Sequence, residues 1–502
     1  MRWSGIRWSG IQWSGIQWSG KIRIATILIA SWLLFPVMTT PGASGSATRR
    51  GAGQPVDLLL TGGAVVTMNN HRQLHNPGYV AIRGNRIVAV GPMAEFRSAD
   101  FRPVRVIDFK GRVVMPGLIN AHTHLAMTLL RGVGDDLNLD DWLKRYIFPA
   151  EAGNVTSDYV ATGTRLGLIE MIRGGITTFA DMYYFEETVA EVTRQAGVRA
   201  ILGETLLDFP APDNKTWDQA IGYAQKFILR WKGDPLITPA LAPHALYTVN
   251  RTHLEAVRDL AKQLDVPILT HLAEARSETQ YANQNFGLTP TGYLDQVGLL
   301  SARTLLAHVI HVDQQDLALL NQRDVGIVHC PQSNMKLASG TAPVPAMLKN
   351  GMRVGLGTDG AASNNDLNLW EEIDTAAKLH KLITGDPTVV TAEEALALAT
   401  IGGARALHLE DRLGSLEPGK LADLIVVGMS APHQSPVYNL YSHLVYATKA
   451  GDVSDVMVNG RWLMRDRRLL TLKEPAVMND VRRYQRQIRR GLNDVLNAPT
   501  GR

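Results

Sequence analysis

The sequence predicts an α/β fold: a (β/α)₈ TIM-like barrel carrying a small β-sandwich domain built from both ends of the chain. Three observations support that expectation. Short apolar runs alternate with helical stretches through the middle of the 502-residue chain, as expected for strands buried on both faces of a helix-covered parallel sheet. Several of these runs end in His or Asp, at the position where a barrel keeps its active site. Strand-like patterns flank the middle on both sides.

At the N-terminus, Arg2-Trp-Ser-Gly-Ile, Arg7-Trp-Ser-Gly-Ile, Gln12-Trp-Ser-Gly-Ile and Gln17-Trp-Ser-Gly-Lys repeat with a period too short for a solenoid unit. Next, Lys21 to Phe35 places basic residues before an apolar run, and small residues follow at Gly42-Ala-Ser-Gly-Ser-Ala47. That is the order of a secretory signal peptide. Residues 1–47 are therefore expected to be a leader and cleaved signal, with the mature protein periplasmic or secreted. Membrane anchoring by an uncleaved segment is the alternative.

Residues 54–115 are expected to form the first part of the sandwich, with short strands in Asp57–Thr67, Tyr79–Val90 and Val104–Val114 and a turn at Gly84-Asn85. Residues 116–405 form the barrel, whose length of roughly 280 residues suits a fold that typically takes about 250. Residues 406–470 return to the sandwich through Ala422–Val427 and Val453–Leu463, and residues 471–502 form a basic C-terminal helix.

With 45% hydrophobic and 20% charged residues, the composition excludes disordered, collagen-like and coiled-coil classes. The net charge of +4 comes from the ends. The first 50 residues hold six bases and no acids, and the last 42 hold eleven bases and four acids, leaving residues 51–460 at −9. An acidic body argues against nucleic acid as a partner. The basic run Val481–Arg490 reads as a solvated helix face. Cys330 is the single cysteine, so no intrachain disulfide or multi-cysteine metal site exists, and any metal must be held by His and carboxylates. Cys330 itself reads as a buried strand residue.

In Asn120-Ala-His122-Thr-His124, residues i and i+2 of a strand face the same way, so two imidazoles can aim at one point. His271, His308 and Asp359 each end an apolar run. His122 and Asp359 are 237 residues apart, which fits seven βα units of roughly 34 residues. That puts His271 near the fifth strand and His308 near the sixth, around one rim.

These stretches resemble the amidohydrolase superfamily, in particular its mononuclear-metal branch of methylthioadenosine/S-adenosylhomocysteine deaminases and triazine chlorohydrolases. The likeness rests on Met115–His124, His271-Leu-Ala-Glu274, His308-Val-Ile-His311, His329–Leu337, Gly357–Asp366 and Gly419–Val426, and runs from about Val56 to about Leu470. It implies one divalent metal, zinc expected and ferrous iron the alternative, on His122, His124, His271 and Asp359. It further implies Glu274 as proton shuttle to a ring nitrogen, His308 as hydrogen-bond partner of the attacking water, Asp359 as its base, and Glu151 and His244 as substrate contacts alongside Glu274. The stretch Glu204–Leu229 departs from those deaminases: it holds Lys215 and Lys226 but no arginine, and Arg230 comes late.

The expected activity is metal-dependent hydrolytic deamination of an amino-purine, an adenosine derivative such as methylthioadenosine or S-adenosylhomocysteine, with release of ammonia. The alternatives are a guanine, pyrimidine or s-triazine deaminase or chlorohydrolase of the same superfamily, or a metal-free secreted binding protein. The partner is a small heterocyclic substrate, and a homo-oligomer is left open.

Overall fold

The computed structural model describes residues 53–496; the leader and signal peptide expected over residues 1–47 lie outside them. Eight parallel strands follow one another around a barrel: Leu118–Thr123, Ile176–Tyr183, Arg199–Leu206, Ile237–Pro243, Ile268–Leu272, Thr304–His308, Gly326–His329 and Arg353–Leu356. Nearly every residue in them is buried, which is why they read as unbroken apolar runs rather than alternating ones. Helices such as Ser157–Gly174, Glu186–Ala196 and Arg251–Leu264 cover the outside. Their starts follow local chemistry: the side chains of Thr156 and Asn250 accept from the N–H groups of Tyr159 and His253, satisfying donors that the first helical turn leaves free.

The barrel closes by a side-chain stitch. Asn120 Nδ2 donates to Thr358 Oγ1 (2.7 Å) and Asn120 Oδ1 accepts from Thr358 N–H (3.0 Å), while Asp359 N–H donates to His122 O (3.0 Å). One asparagine thus pairs the first strand to the chain leaving the eighth. Gly357 permits that approach, since a Cβ there would lie 2.8 Å from His122 O.

Both chain ends build the sandwich. A four-stranded sheet runs Arg86–Pro92, Gly78–Arg83, Gln54–Thr61, Phe101–Asp108. A seven-stranded sheet runs Arg468–Leu469, Arg461–Arg465, Val453–Val458, Leu424–Gly428, Arg112–Pro116, Ala64–Val66, Leu74–His75. The late strand Leu424–Gly428 lies antiparallel to the early strand Arg112–Pro116. Alternate residues serve two cores: Val114, Leu424 and Val426 pack between the sheets with Leu58, Leu60 and Ile82, while Val113, Met115, Ile425 and Val427 join the barrel's core. The Arg199–Asp423 ion pair (2.9 Å), buried at 6% and 4% side-chain exposure, ties the third barrel strand to this sheet.

Two expected strands are each divided in two. Asp57–Thr67 breaks at Gly62-Gly63 and Val104–Val114 breaks around Gly111, and in both cases the halves lie in different sheets. Gly62 (φ +84°) and Gly111 (φ +74°) take the left-handed conformation that lets the chain cross over. Gly84 (φ +58°) turns the hairpin as expected.

The basic C-terminal segment forms the helix Glu474–Leu496. Its outer face is solvated, but Val477, Tyr484 and Ile488 are buried, and Tyr484 meets Tyr159 edge-on at 5.4 Å. Among the described residues, no helix is long and apolar enough to cross a membrane.

Candidate metal centre and cleft

The expected site residues gather at the C-terminal mouth of the barrel. His122 lies at the end of the first strand, His124 just past it, His271 on the fifth, His308 at the end of the sixth, and Asp359 after the eighth. The ring centroids of His122, His124 and His271 are 4.9–5.4 Å apart. Asp359 Oδ1 is 3.4 Å from His122 Nε2 and 3.2 Å from His124 Nε2. Their ligand atoms form sets compact enough to hold one ion, His122–His124–His271 and His122–His308–Asp359.

The atoms around this point fit a metal. His124 Nδ1 pairs with Met182 O (2.6 Å) and His271 Nδ1 with His244 O (2.9 Å). A carbonyl can only accept, so each Nδ1 carries the proton and each Nε2 presents a lone pair inward. His122 Nε2 is buried with no protein hydrogen-bond partner, a position that an ion would satisfy. Asp359 Oδ2 accepts from Ser333 Oγ (2.7 Å) and Ser363 Oγ (2.8 Å), which leaves Oδ1 turned to the imidazoles. Burial opposes charge on Asp359, but the close approach of the His122 and His124 imidazoles holds its carboxyl well below the usual range.

The strand ends that aim these groups are strained. Ala273 (φ +51°), His308 (φ +73°), Val309 (φ +49°) and Asp359 (φ +59°) are all left-handed. Such conformations persist only where the surroundings enforce them. Here Ala273 O accepts from the N–H groups of Ile310 (3.1 Å) and His311 (2.9 Å), and Val309 N–H donates to Leu272 O (3.0 Å). The turn at Ala273 brings Glu274 Oε2 to 3.8 Å from His308 Nε2. His308 Nδ1 pairs with the Asn334 amide oxygen at 2.8 Å, which fixes the ring. Burial raises the Glu274 carboxyl above its ordinary range, suiting a group that must carry a proton near neutral pH.

These residues floor an open cleft that Glu151 and His244 also line. Glu151 accepts from Tyr183 OH (2.8 Å), and burial pushes its carboxyl up to about 7. His244 Nδ1 pairs with Thr248 Oγ1 (3.1 Å), and burial lowers it to about 3. The cations after the third strand turn away: Lys215 Nζ donates to Ala211 O and Pro212 O, Lys226 is exposed, and Arg230 pairs with Glu187 and Glu191. Cys330 is fully buried one residue past the seventh strand, and burial raises its thiol.

Sequence reasoning missed the supporting residues Ser333, Asn334, Ser363 and Glu278, whose carboxylate accepts from Glu274 N–H (3.0 Å). The first three fall within stretches already singled out, so their positions were legible but their partners were not.

The family model described as the Amidohydrolase family matches residues 113–463. The chain belongs to this family. The amidohydrolase chain is 50% identical over 433 residues to a 5-methylthioadenosine/S-adenosylhomocysteine deaminase of Syntrophobacter fumaroxidans, covering 86% of this chain and 98% of the relative. Among solved structures it resembles a zinc-bound adenosine deaminase from Xanthomonas campestris, at 40% identity and TM-score 0.85 over 87% of this chain and 99% of that one. It also resembles the zinc complex of an atrazine chlorohydrolase from Arthrobacter aurescens, at 25% identity and TM-score 0.78 over 85% and 100%.

Proposed function

We propose that the protein is a metal-dependent aminohydrolase that removes the ring amino group of an adenosine derivative, such as methylthioadenosine or S-adenosylhomocysteine, as ammonia. The observation that carries this reading is the pairing of a buried Glu274 carboxyl with His308 Nε2, 3.8 Å apart, beside three inward imidazoles and Asp359. Deaminating a cyclic amidine needs these parts: a site for activated water, a proton donor for the ring nitrogen, and a group to orient the attack. The relatives named for deaminases of this kind support the choice of substrate.

His122, His124, His271 and Asp359 would hold the cation, zinc or ferrous iron, which supplies the acidity that makes hydroxide available near neutral pH. Asp359 accepts the water's proton. His308, held by Asn334, hydrogen-bonds the attacking oxygen. Glu274 delivers a proton to the ring nitrogen beside the amino-bearing carbon, so electrons withdrawn by the attack have a place to go. The amino group then takes the proton held on Asp359 and leaves as ammonia, while the hydroxyl proton passes to Glu274, so the ring keeps a carbonyl and both carboxyl groups return to their starting states. Glu151 accepts from ribose hydroxyls, and His244 lines the same pocket.

The test is an ammonia-release screen of the zinc-loaded protein across purines, purine nucleosides, pyrimidines and amino- and chloro-triazines. Adenosine derivatives should give the highest kcat/KM; a triazine or guanine in that place replaces this reading with the alternative. We also propose that the protein is exported after loss of residues 1–47, on the order of basic, apolar and small residues there. N-terminal sequencing of native protein checks it, and a mature chain starting within the Trp-Ser-Gly repeat excludes it.

A further inference from the structure

We propose that Lys336 is a positioning residue for substrate binding, latching one wall of the cleft to the turn that follows the eighth strand. The inference deepens the proposed function, and rests on it only in taking this cleft as the substrate's place. The wall is the segment 132–147. It holds the short helix Leu139–Trp142 and the π-helical turn Leu143–Ile147. Leu139, Trp142, Leu143 and Ile147 line the cleft, while Asp140, Lys144 and Arg145 are exposed. The apolar positions i, i+3, i+4 and i+8 are those of a one-sided helical stripe.

Apart from apolar packing, little holds this segment. A single helical turn is not stable alone. Lys144 pairs with Asp140 (3.2 Å) and Arg145 with Asp141 (4.0 Å), both within the segment, and Asn138 accepts from Asp141 N–H (3.0 Å). Among the described residues, a single side-chain hydrogen bond or ion pair joins the segment to another element: Lys336 Nζ to Asp135 Oδ1 (2.5 Å). Asp135 lies in a turn whose Gly132 (φ +75°), Gly134 (φ +77°) and Asp136 (φ +62°) are all left-handed. Gly134 backs directly onto the wall, since a Cβ there would lie 2.9 Å from Tyr146 Cγ and 3.3 Å from Trp142 Cδ1. The place of Asp135 therefore sets that of Trp142 through close packing.

Lys336 is itself well anchored. Its ammonium also donates to Asn365 Oδ1 and to Ala362 O (3.4 Å), so its three donors meet three acceptors. Asn365 (φ +76°) accepts from Arg131 through its backbone oxygen, and Arg131 pairs with Glu170 (2.5 Å). Lys336 ends the helix Pro331–Lys336, whose Ser333 and Asn334 hold Asp359 and His308. One ammonium thus joins the wall to the framework that aims the metal ligand and the water-orienting imidazole.

The test uses the zinc-loaded enzyme and the best substrate of the ammonia-release screen, whatever its ring. Asp135→Ala cuts the latch and leaves Lys336 on Asn365 and Ala362. It should raise KM about tenfold, the scale of one charge-assisted hydrogen bond, with kcat within about threefold of wild type. Metal content should not change, and amide hydrogen exchange should quicken in 132–147 and not in the barrel strands. Lys336→Met should raise KM at least as much, and adding Asp135→Ala to it should change KM no further. Asp135→Glu, which keeps a carboxylate at this exposed position, should restore KM to within about threefold. Unchanged KM and exchange in Asp135→Ala overturn the inference. So do loss of metal, faster exchange across the barrel strands, or a fall in kcat at constant KM, each of which makes the pair a support of the whole site rather than a latch on one wall. If no compound in the screen is turned over, the proposed function fails, and exchange in 132–147 alone still decides whether Lys336 holds the wall.

Discussion

Glu274 is the residue on which the proposed chemistry turns. Its amide isostere keeps the volume but cannot carry a proton, so Glu274→Gln should retain a full complement of metal and lose about 10²–10⁴ in rate. Elemental analysis paired with single-substrate kinetics checks both halves; a variant that loses its metal would instead make Glu274 a ligand. His122→Ala and Asp359→Ala should abolish turnover and lower metal content together, because each removes a donor from one small cluster. The sequence made His122 and His124 legible through their i, i+2 spacing, and His271, His308 and Asp359 through the apolar runs they end. It could not make Asn334 legible as the partner of His308, nor Ser333 and Ser363 as partners of Asp359. Those contacts depend on how the short helix Pro331–Lys336 after the seventh strand and the turn after the eighth fold back over the barrel mouth, and isolated small polar residues carry no periodic signal.

Barrel strands announce themselves by being buried on both faces, and the runs ending in His271, His308 and Asp359 mark the fifth, sixth and eighth strands in the expected order. What the pattern hid was the crossing between sheets: Gly62 and Gly111 sit inside runs that look continuous, and only their left-handed backbone separates the halves. The closing seam was equally silent, since Asn120 reads as one polar residue in a strand. Asn120→Ala removes two hydrogen bonds between the first strand and Thr358 and leaves a buried N–H unpaired. It should lower unfolding stability by about 1–3 kcal/mol, measured by denaturant titration. A pH effect belongs to the seventh strand and the helix Leu369–Thr384. His329 and His380 face each other at 3.2 Å between Nε2 atoms, both buried. Burial lowers His380 to about 4 from 6.5, so between those values the folded state binds fewer protons than the unfolded one. Stability should therefore fall as pH drops from about 6.5 toward 4 and stay unaffected by this pair above that range. His380→Gln, which preserves a hydrogen bond without the charge, should make the fall in Tm over that interval shallower.

At the scale of the molecule, the C-terminal helix is part of the barrel's outer layer. Tyr484→Ala should cost about 2–4 kcal/mol through the cavity left against Tyr159, read as a drop in Tm with the metal content of the folded protein unchanged. The shared sheet has a different kind of consequence, one of timing. Arg112–Pro116 pairs on one side with the early strand Ala64–Val66, but its other edge is filled only when Leu424–Gly428 exists, and roughly 300 residues of synthesis separate them, which takes about 15–60 s on a ribosome. Throughout that interval the early strands present bare edges and apolar faces, the features that invite pairing with other chains. A newborn chain of this protein needs shelter for most of its synthesis, and a transcript truncated ahead of codon 424 would yield a sticky fragment rather than a small working barrel.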